Sequence, residues 1–208
     1  MSCAAVIAVK GVATAKSRLA GALSSEVRGR LVEVMLAQVI RAAQSAVRIG
    51  EIFVVSTTAY DVLVSGAPIA AVVEGTEGLS AAFECGALRA RQCGHHSVLL
   101  LPADLALVTA EDLDTLIASG CESGAALAPD TIGAGTNALY LPLPLPIRLV
   151  FGSCSCARHL AACWACGYAP AILERPGLAL DIDAPGDLER LRGLPAYSFL
   201  DETARSVA

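Results

Sequence analysis

The sequence lacks the features expected of a membrane protein or a nucleic-acid-binding protein. Hydrophobic residues make up 55% of the 208 positions, yet charged residues and prolines interrupt the apolar runs before they reach the length of a spanning helix. The net charge is −5 at pH 7, and lysines and arginines form no run that could track phosphates. The start of the sequence lacks the basic segment and cleavage site of a signal peptide. We therefore expect a cytoplasmic protein without nucleic-acid or membrane partners.

Two common nucleotide-binding motifs are also missing. The sequence contains neither the G-x-x-x-x-G-K-[ST] motif of P-loop proteins nor the G-x-G-x-x-G motif of dinucleotide-binding domains. These absences make a P-loop kinase or a dinucleotide-dependent enzyme a poor fit.

What the sequence does contain is an alternation of short apolar segments and amphipathic segments. The apolar segments predict strands at residues 4–9, 51–57, 69–73, 96–104, 124–129, 138–141, 168–173 and 177–183. Helices are predicted at 24–47, 81–91 and 185–192, with two more opening at 109 and within 151–156. This alternation is typical of an α/β fold with a Rossmann-like, mostly parallel sheet and helices on both faces. We expect one domain over residues 1–194 and a loosely held C-terminal tail over 195–208.

Three aspartates are candidates for a metal site. Asp181 and Asp183 lie two residues apart in a predicted strand, so their side chains project from one face while Ile182 enters the core. Two adjacent carboxylates repel each other unless a cation lies between them, and Mg²⁺ prefers oxygen ligands. Asp104 ends the clearest buried strand, at the carboxyl edge where α/β sheets bind ligands. For the Asp181–Asp183 pair alone, the alternative is a solvated acidic turn.

Three cations follow the first predicted strand. Lys10, Lys16 and Arg18 lie beyond its carboxyl end, where they could meet an anion such as a polyphosphate. The alternative is a solvated basic loop. A third candidate for nucleotide contact is the glycine-bearing turn that contains Gly78 and Ser80, because it leads into a helix N-terminus. Two glycines without a wider pattern are a weak signal.

Two later turns carry groups that could bind a small substrate. Thr136 and Asn137 offer short hydrogen-bonding side chains after a flexible glycine turn. The second turn leads into the cysteine-lined helix, and its candidate residues are Gly152, Ser155, Arg158 and His159. Hydroxyls, helix amides and an arginine could hold a small phosphorylated acid there. For the serine, the alternative is a simple helix cap; for His159 it is a core or capping role.

The eight cysteines are expected to be free thiols in a cytosolic protein. Cys156, His159, Cys163 and Cys166 follow helical spacing, which makes a zinc site a minor alternative. Along one helix the first and last of them would lie ~15 Å apart, too far for one tetrahedral ion. We therefore favour small, buried cysteines that behave as hydrophobic residues.

The cations and the three aspartates could converge on one edge of the sheet. That arrangement suits metal-assisted attack on a nucleotide α-phosphate, with Mg²⁺ stabilising the charge on the reacting group and on the leaving pyrophosphate. A phosphate nucleophile is already ionised at pH 7, so this chemistry needs no general base.

Five segments, taken in order, resemble one known family. They are Val9–Lys10 with Ala15–Leu19, Leu101–Leu105, Gly135–Leu139, Phe151–Gly152 with Ser155 and His159, and Leu180–Asp183. Together they resemble the CofC/FbiD guanylyltransferases of coenzyme F-420 (deazaflavin) biosynthesis, which are related to the MobA-like molybdenum-cofactor nucleotidyltransferases. Each motif is weak alone, but five in the right order are fairly specific. The similarity runs from about residue 6 to residue 191.

The resemblance implies a fold, a reaction and a set of site residues. The fold is that of MobA-like nucleotidyltransferases, and the reaction transfers GMP from GTP to a three-carbon phospho-acid with release of pyrophosphate. The acid is 2-phospho-L-lactate, phosphoenolpyruvate or 3-phospho-D-glycerate, and a downstream transferase uses the product to load the deazaflavin precursor. The implied metal ligands are Asp104, Asp181 and Asp183; the triphosphate would face Lys10, Lys16 and Arg18; and the acid would contact Thr136, Gly152 and Ser155.

Two departures from the family pattern lie near these sites. The chain has Gly78-Leu79-Ser80 where the family usually has Gly-Leu-Asn, which affects a nucleotide contact. It also has a cysteine-rich segment, 153–156, where the family has proline or acidic residues and an aromatic residue. Because this segment adjoins the acid site, we favour 3-phospho-D-glycerate slightly as the acceptor.

Several alternatives stay open from the sequence. One is a molybdopterin or sugar-phosphate nucleotidyltransferase, although the L-A-G-G-x-x-x-R-M-G start of the molybdenum branch is absent. Another is a non-catalytic nucleotide-binding domain, against which the three retained aspartates argue. The choice of guanine over other bases is open as well. So is the oligomeric state, because the proline-rich segment 141–146 is a candidate homodimer contact.

Overall fold

The structure is a computed structural model that describes residues 3–9, 16–56, 69–73 and 78–201, the third of these ranges by its backbone alone. Of the candidate site residues, Lys10 lies outside the described residues.

Seven strands in the described part form one sheet. In chain order they are β1 (Cys3–Val9), β2 (Ile49–Ser56), β3 (Ile69–Val73), β4 (Ser97–Pro102), β5 (Ala126–Pro129), β6 (Thr136–Pro142) and β7 (Ala171–Ile172). Across the sheet their order is β3-β2-β1-β4-β6-β5-β7. Strand β6 runs antiparallel to both of its neighbours, and the other pairings are parallel. The predicted Rossmann-like, mostly parallel sheet is therefore confirmed.

Helices cover both faces of this sheet. The helices are α1 (Ser25–Ser45), α2 (Leu79–Gln92), α3 (Ala110–Ser123), α4 (Ser155–Ala165) and the short α5 (Pro176–Ala179). Ala5 and Ile7 of β1 pack in one core cluster with α1 and α3, whereas Ala4 and Val6 pack in another with α2 and α4. Alternate residues of a strand point to opposite faces, so a strand covered on both sides is apolar throughout. All seven residues of β1 are indeed buried.

Local sequence signals explain where the main helices begin. The Ser24 hydroxyl accepts a hydrogen bond from the Val27 amide at the start of α1. Thr109 and Asp112 form a reciprocal capping box at the start of α3. Both arrangements satisfy amides that have no partner within the helix. None of the described helices has the length and apolar character that crossing a bilayer requires.

The C-terminal third differs most from the predictions. The strand predicted at 168–173 shrinks to the two residues of β7, and the helix predicted at 185–192 is a 3-10 turn at Pro185–Arg190. The predicted strand at 177–183 is wrong, because α5 occupies 176–179 and residues 180–183 belong to no strand. Pro176 favours the first turn of a helix, and the preceding Arg175 is bound to Asp112 at 2.7 Å.

The segment 195–201 is packed rather than loosely held. Tyr197, Phe199 and Leu200 are buried in a third core cluster that includes residues of α1. The Tyr197 hydroxyl donates a 3.0 Å hydrogen bond to the carbonyl oxygen of Ala106. These contacts tie the segment to the loop that follows β4.

Candidate active site

A cleft lies where the carboxyl ends of β1 and β4 meet. Its volume is ≈ 290 Å³, and its walls include Val9, Lys16, Arg18, Asp104 and Asp183. Asp104 follows the end of β4 by two residues, and β1 and β4 are adjacent parallel strands. The fold therefore gathers candidate residues from three distant parts of the chain at one sheet edge, as expected for ligand sites in α/β sheets.

Lys16 lies between two of the candidate aspartates. Its Nζ is 2.6 Å from Asp104 Oδ2 and 2.8 Å from Asp183 Oδ1. The Lys16 side chain is 7% exposed, while that of Asp183 is 50% exposed. A left-handed backbone conformation at Lys16, with φ 58°, precedes a 3-10 turn at Ser17–Leu19. The ammonium group thus supplies the cation that the two carboxylates require.

The charges of this cluster shift two pKa values. Burial disfavours the charged form of Lys16, but the carboxylates of Asp104 and Asp183 outweigh it and raise the lysine pKa above its ordinary value. Burial also raises the pKa of Asp181, and the negative charges of Asp104 and Asp183 act in the same direction. The site therefore keeps a permanent positive charge on Lys16 and disfavours a third uncompensated negative charge.

The carboxylates fit a partly hydrated divalent cation. Asp104 Oδ1 is buried and has no hydrogen-bond partner among the described residues, so this carboxylate oxygen is a candidate to coordinate a ligand. Among the described residues, no three His, Cys, Asp or Glu side chains form a closed metal-binding group. Mg²⁺ does not need such a cage, because it is usually held by one or two carboxylates together with substrate phosphates and waters.

Asp181 and Arg18 lie at the margins of this cluster. Asn137 Nδ2 donates to the Ala179 carbonyl at 3.0 Å and lies 3.4 Å from Asp181 Oδ1, which orients that carboxylate. The Arg18 guanidinium is 3.9 Å from Asp183 Oδ2, and its side chain is 78% exposed. Arg18 is therefore free to turn toward an incoming anion at little cost.

A second group of polar residues begins at the first residue of β6. Leu139 of β6 lies opposite Leu100 of β4, so the start of antiparallel β6 lies beside the end of β4 that leads to Asp104. Thr136 Oγ1 is 3.0 Å from His159 Nδ1, and the Val150 amide donates to His159 Nε2 at 3.1 Å. His159 is fully buried, so in this structure it can act on a ligand only through other residues.

The turn before α4 is linked to α2. The Phe151 amide donates to the Ser80 hydroxyl at 2.9 Å, so this hydroxyl, predicted to contact nucleotide, has a structural partner. Gly78 precedes α2 with φ +93°, and Gly152 follows Phe151 with φ +122°, conformations that favour glycine.

Two residues of α4 differ sharply in their exposure. Ser155 is buried at the first position of the helix, and its amide donates to the Gly152 carbonyl oxygen at 3.1 Å. Arg158 is exposed on the same helix.

Asp130 organises the β5–β6 connection and was not among the predicted site residues. Its carboxylate accepts hydrogen bonds from the amides of Ile132, Ala134 and Gly135 at 3.2, 2.8 and 2.8 Å. The Ala134 carbonyl in turn accepts from the Cys156 amide at 3.1 Å, which joins this turn to α4. An aspartate followed by a glycine-bearing turn is the signal that could have identified it.

The cysteines behave as predicted where they face the core. Cys156 and Cys163 are buried in the cluster beneath α4, and burial raises the pKa of Cys163 to about 11. None of the eight cysteines forms a disulfide bond. Both ring nitrogens of His159 already have hydrogen-bond partners, which leaves neither of them to bind zinc in this conformation.

Comparison with known proteins agrees with the α/β fold of this chain. Residues 3–197 match the family model described as "Guanylyl transferase CofC like". This chain belongs to that family. A phosphoenolpyruvate guanylyltransferase of Sphaerobacter thermophilus is 38% identical over 98% of this chain and 99% of its own length. A 3-phospho-D-glycerate guanylyltransferase of Phenylobacterium zucineum is 35% identical over 91% of this chain and 89% of its own length.

Solved structures share the fold of this CofC-family protein at low sequence identity. A Desulfovibrio desulfuricans protein, described as a candidate nucleotide-diphospho-sugar transferase, superposes with a TM-score of 0.78 at 13% identity, over 99% of this chain and 96% of its own. A Mycobacterium tuberculosis protein crystallised with manganese gives 0.54 at 16% identity, over 92% of this chain and 98% of its own. The resemblance found in the sequence is confirmed, and the protein is a nucleotidyltransferase.

Proposed function

We propose that this CofC-family protein transfers GMP from GTP to a three-carbon phospho-acid and releases pyrophosphate. The observation that carries the proposal is the Lys16 ammonium group, which is bound by Asp104 and Asp183 in the wall of a cleft at the carboxyl edge of the sheet. A polyphosphate and a divalent cation need this combination of one buried cation and several carboxylates.

The reaction is a displacement at the α-phosphorus of GTP. A phosphate oxygen of the acceptor attacks the α-phosphorus, the bond to the oxygen bridging to the β-phosphorus breaks, and pyrophosphate leaves with that bonding electron pair. The acceptor phosphate is ionised at pH 7, so no side chain has to remove a proton. Lys16 and Arg18 are proposed to bind the triphosphate oxygens, and Lys10 is proposed to act with them. Gly78 and Ser80 are proposed to lie along the nucleotide.

Asp104, Asp181 and Asp183 are proposed to hold Mg²⁺. Asp104 Oδ1 has no partner among the described residues, and the pKa of Asp181 is raised; both observations support this assignment, because they indicate carboxylate oxygens that a cation would stabilise. The ion would stabilise the negative charge that develops on the reacting phosphoryl group. Asn137, which holds Asp181 Oδ1, is proposed to orient the third carboxylate rather than to bind substrate directly.

The acceptor is proposed to bind near the start of β6 and of α4. Thr136, Gly152 and Ser155 would contact it, and the exposed Arg158 could reach its charged groups. Phosphoenolpyruvate is the first acid to test, since the Sphaerobacter relative is named for it. The second is 3-phospho-D-glycerate, which names the Phenylobacterium relative and is favoured by the unusual segment 153–156. The third is 2-phospho-L-lactate.

We also propose that this reaction belongs to coenzyme F-420 biosynthesis, as the family resemblance implies. The product is a phospho-acid joined to GMP by a diphosphate, which is an activated form of the acid. The enzyme that consumes it must transfer the phospho-acid to an acceptor and release GMP, as the transferase loading the deazaflavin precursor would do. We propose a cytoplasmic location and a homodimer contact through segment 141–146, which a measurement of the mass in solution would test.

The test is an assay of pyrophosphate release. The protein is incubated with Mg²⁺, one of the three acids and GTP, or with ATP, CTP or UTP in its place, and the downstream transferase is added to remove product. We expect release with GTP and one or two acids. No release with any acid and any nucleotide would overturn the proposal.

The metal assignment needs a separate variant. Asp183→Ala should abolish release while the circular dichroism spectrum is unchanged. Glu189→Gln changes an exposed carboxylate in the neighbouring 3-10 turn and should retain activity. Wild-type turnover in Asp183→Ala would contradict the role given to this carboxylate.

A further inference from the structure

A buried histidine connects three segments that surround the proposed acceptor site. His159 lies on α4 and is fully buried. One ring nitrogen contacts Thr136 at the start of β6, and the other contacts the Val150 amide in the turn before α4. Ser155 lies four residues earlier on the same helix, so the two side chains share one helix face.

The hydrogen bonds determine where the imidazole proton lies. The Val150 amide can only donate, so His159 Nε2 must be an unprotonated acceptor. Burial first, and the nearby Arg158 charge second, lower the pKa of His159 to about 4, so the ring is neutral at pH 7. A neutral imidazole carries one proton, which must then lie on Nδ1 and be donated to Thr136 Oγ1.

This proton placement sets the role of the Thr136 hydroxyl. Its oxygen accepts from His159, so its own proton is available to be donated elsewhere. No other hydrogen bond from this hydroxyl reaches a described residue. The group is therefore prepared to donate to an anionic oxygen at the sheet edge that also carries Asp104.

The hydrogen bond at His159 Nε2 stabilises the turn before α4, on the other side of the proposed acceptor site. The Nε2 bond fixes the Val150 amide, and the next amide, of Phe151, donates to Ser80. The Phe151 ring packs edge-on against the imidazole, with the ring centroids 4.8 Å apart. The backbone is thus held immediately before Gly152, which has φ +122° and precedes the buried Ser155.

We propose that His159 is a positioning residue for the phospho-acid: it fixes the Thr136 hydroxyl as a donor and holds the Val150–Phe151 backbone against α4. The inference deepens the proposed function and depends on it. In this proposal His159 does not contact the ligand itself. It orients the groups on two sides of one anion site. The ligand chemistry it favours is a carboxylate or phosphate oxygen, because such an oxygen accepts from the Thr136 hydroxyl.

Two conservative variants separate the effects of the two His159 hydrogen bonds, one to Thr136 and one to the Val150 amide. Glutamine reaches the position of Nε2 and can accept from the Val150 amide, whereas asparagine reaches that of Nδ1 and can donate to Thr136. With His159→Gln we expect KM for the acid to rise about tenfold, with KM for GTP changed less than about twofold. His159→Asn should show a smaller rise in the KM for the acid. His96→Gln, which removes an exposed histidine, is the matched control and should leave both values unchanged.

A double-mutant cycle shows whether the effect passes through Thr136. In a Thr136→Val background, His159→Gln should raise KM for the acid by less than about twofold, since the bond it breaks is already absent. An equal tenfold rise in both backgrounds would overturn the proposal, because the histidine would then act without the threonine. Equal increases in the KM for GTP and for the acid would overturn it as well.

An activity-independent measurement tests the proton placement. Long-range ¹H–¹⁵N spectra of the full chain at pH 7 should show His159 as the neutral tautomer with its proton on Nδ1, and Thr136→Val should shift that signal. A charged ring or a proton on Nε2 would overturn the proposal even if transfer is efficient. Absence of transfer with every acid in the wild type would instead overturn the proposed function.

Discussion

The neutral His159 should make the stability of the protein depend on pH. A histidine has a pKa near 6.5 in the unfolded chain, and burial lowers the folded value to about 4. Between these values the unfolded chain binds more protons, so folding stability falls as the pH is lowered. At 1.36 kcal/mol per pKa unit, the full effect is about 3 kcal/mol, and about 2 kcal/mol is lost between pH 7.5 and pH 5.

The assay is urea unfolding of the wild type and His159→Gln at pH 7.5 and pH 5. Glutamine does not titrate, so its free energy of unfolding should fall about 2 kcal/mol less than that of the wild type over this interval. The comparison of pH slopes removes any constant loss caused by the substitution. His96→Gln is the matched control, because it removes an exposed histidine and should keep the wild-type slope. Equal slopes for the wild type and His159→Gln would refute the buried neutral ring.

Three further predictions concern other parts of the structure. Lys16→Met should lower the rate of pyrophosphate release at least ~100-fold, because it removes the buried cation beside Asp104, and the circular dichroism spectrum should be unchanged. A rate within tenfold of the wild type would exclude Lys16 from the reaction. Tyr197→Phe should lower the free energy of unfolding by ~1–3 kcal/mol in urea by leaving the Ala106 carbonyl unpaired, whereas unchanged stability would indicate that 195–201 is loosely held. Asp130→Ala should lower the free energy of unfolding by a similar ~1–3 kcal/mol and raise KM for the acid, because three amides lose their acceptor. Wild-type values for both quantities would contradict the role of Asp130 in the turn.

The sheet was predictable because its strands are continuous apolar segments. Strand β3 has the predicted bounds, and β1, β2 and β4 differ by a few residues. The direction of β6 was not predictable, because the side-chain period of two is the same in parallel and antiparallel strands. The Asp181 segment was predicted as a strand because apolar Leu180 and Ile182 alternate with the aspartates. Both apolar residues are buried, but they pack in a cluster with residues of α1 rather than in the sheet.

The candidate site was predictable in its residue types more than in its contacts. Five ordered motifs indicated the family, and the match over residues 3–197 confirms it. The roles of the individual residues stay predictions. Asp130 was missed because its signal in the sequence is a weak local one, an aspartate followed by a glycine-bearing turn. Ser80 and His159 were named as ligand contacts, yet their polar groups have protein partners, which only packing could reveal.

The sequence by itself determined which chemical groups are present and which segments are buried. Apolar runs specify a sheet covered on both faces, and charged residues at the ends of those runs mark the edge where we propose that an anion and a metal ion bind. Only the tertiary structure decided how those groups pair. Lys16 is 88 residues from Asp104 and 167 from Asp183, yet its ammonium group bonds to both. The position of the imidazole proton of His159 was likewise decided by a backbone amide outside its helix, that of Val150. Contacts between such distant groups depend on strand order and helix packing, which sequence periodicity does not encode.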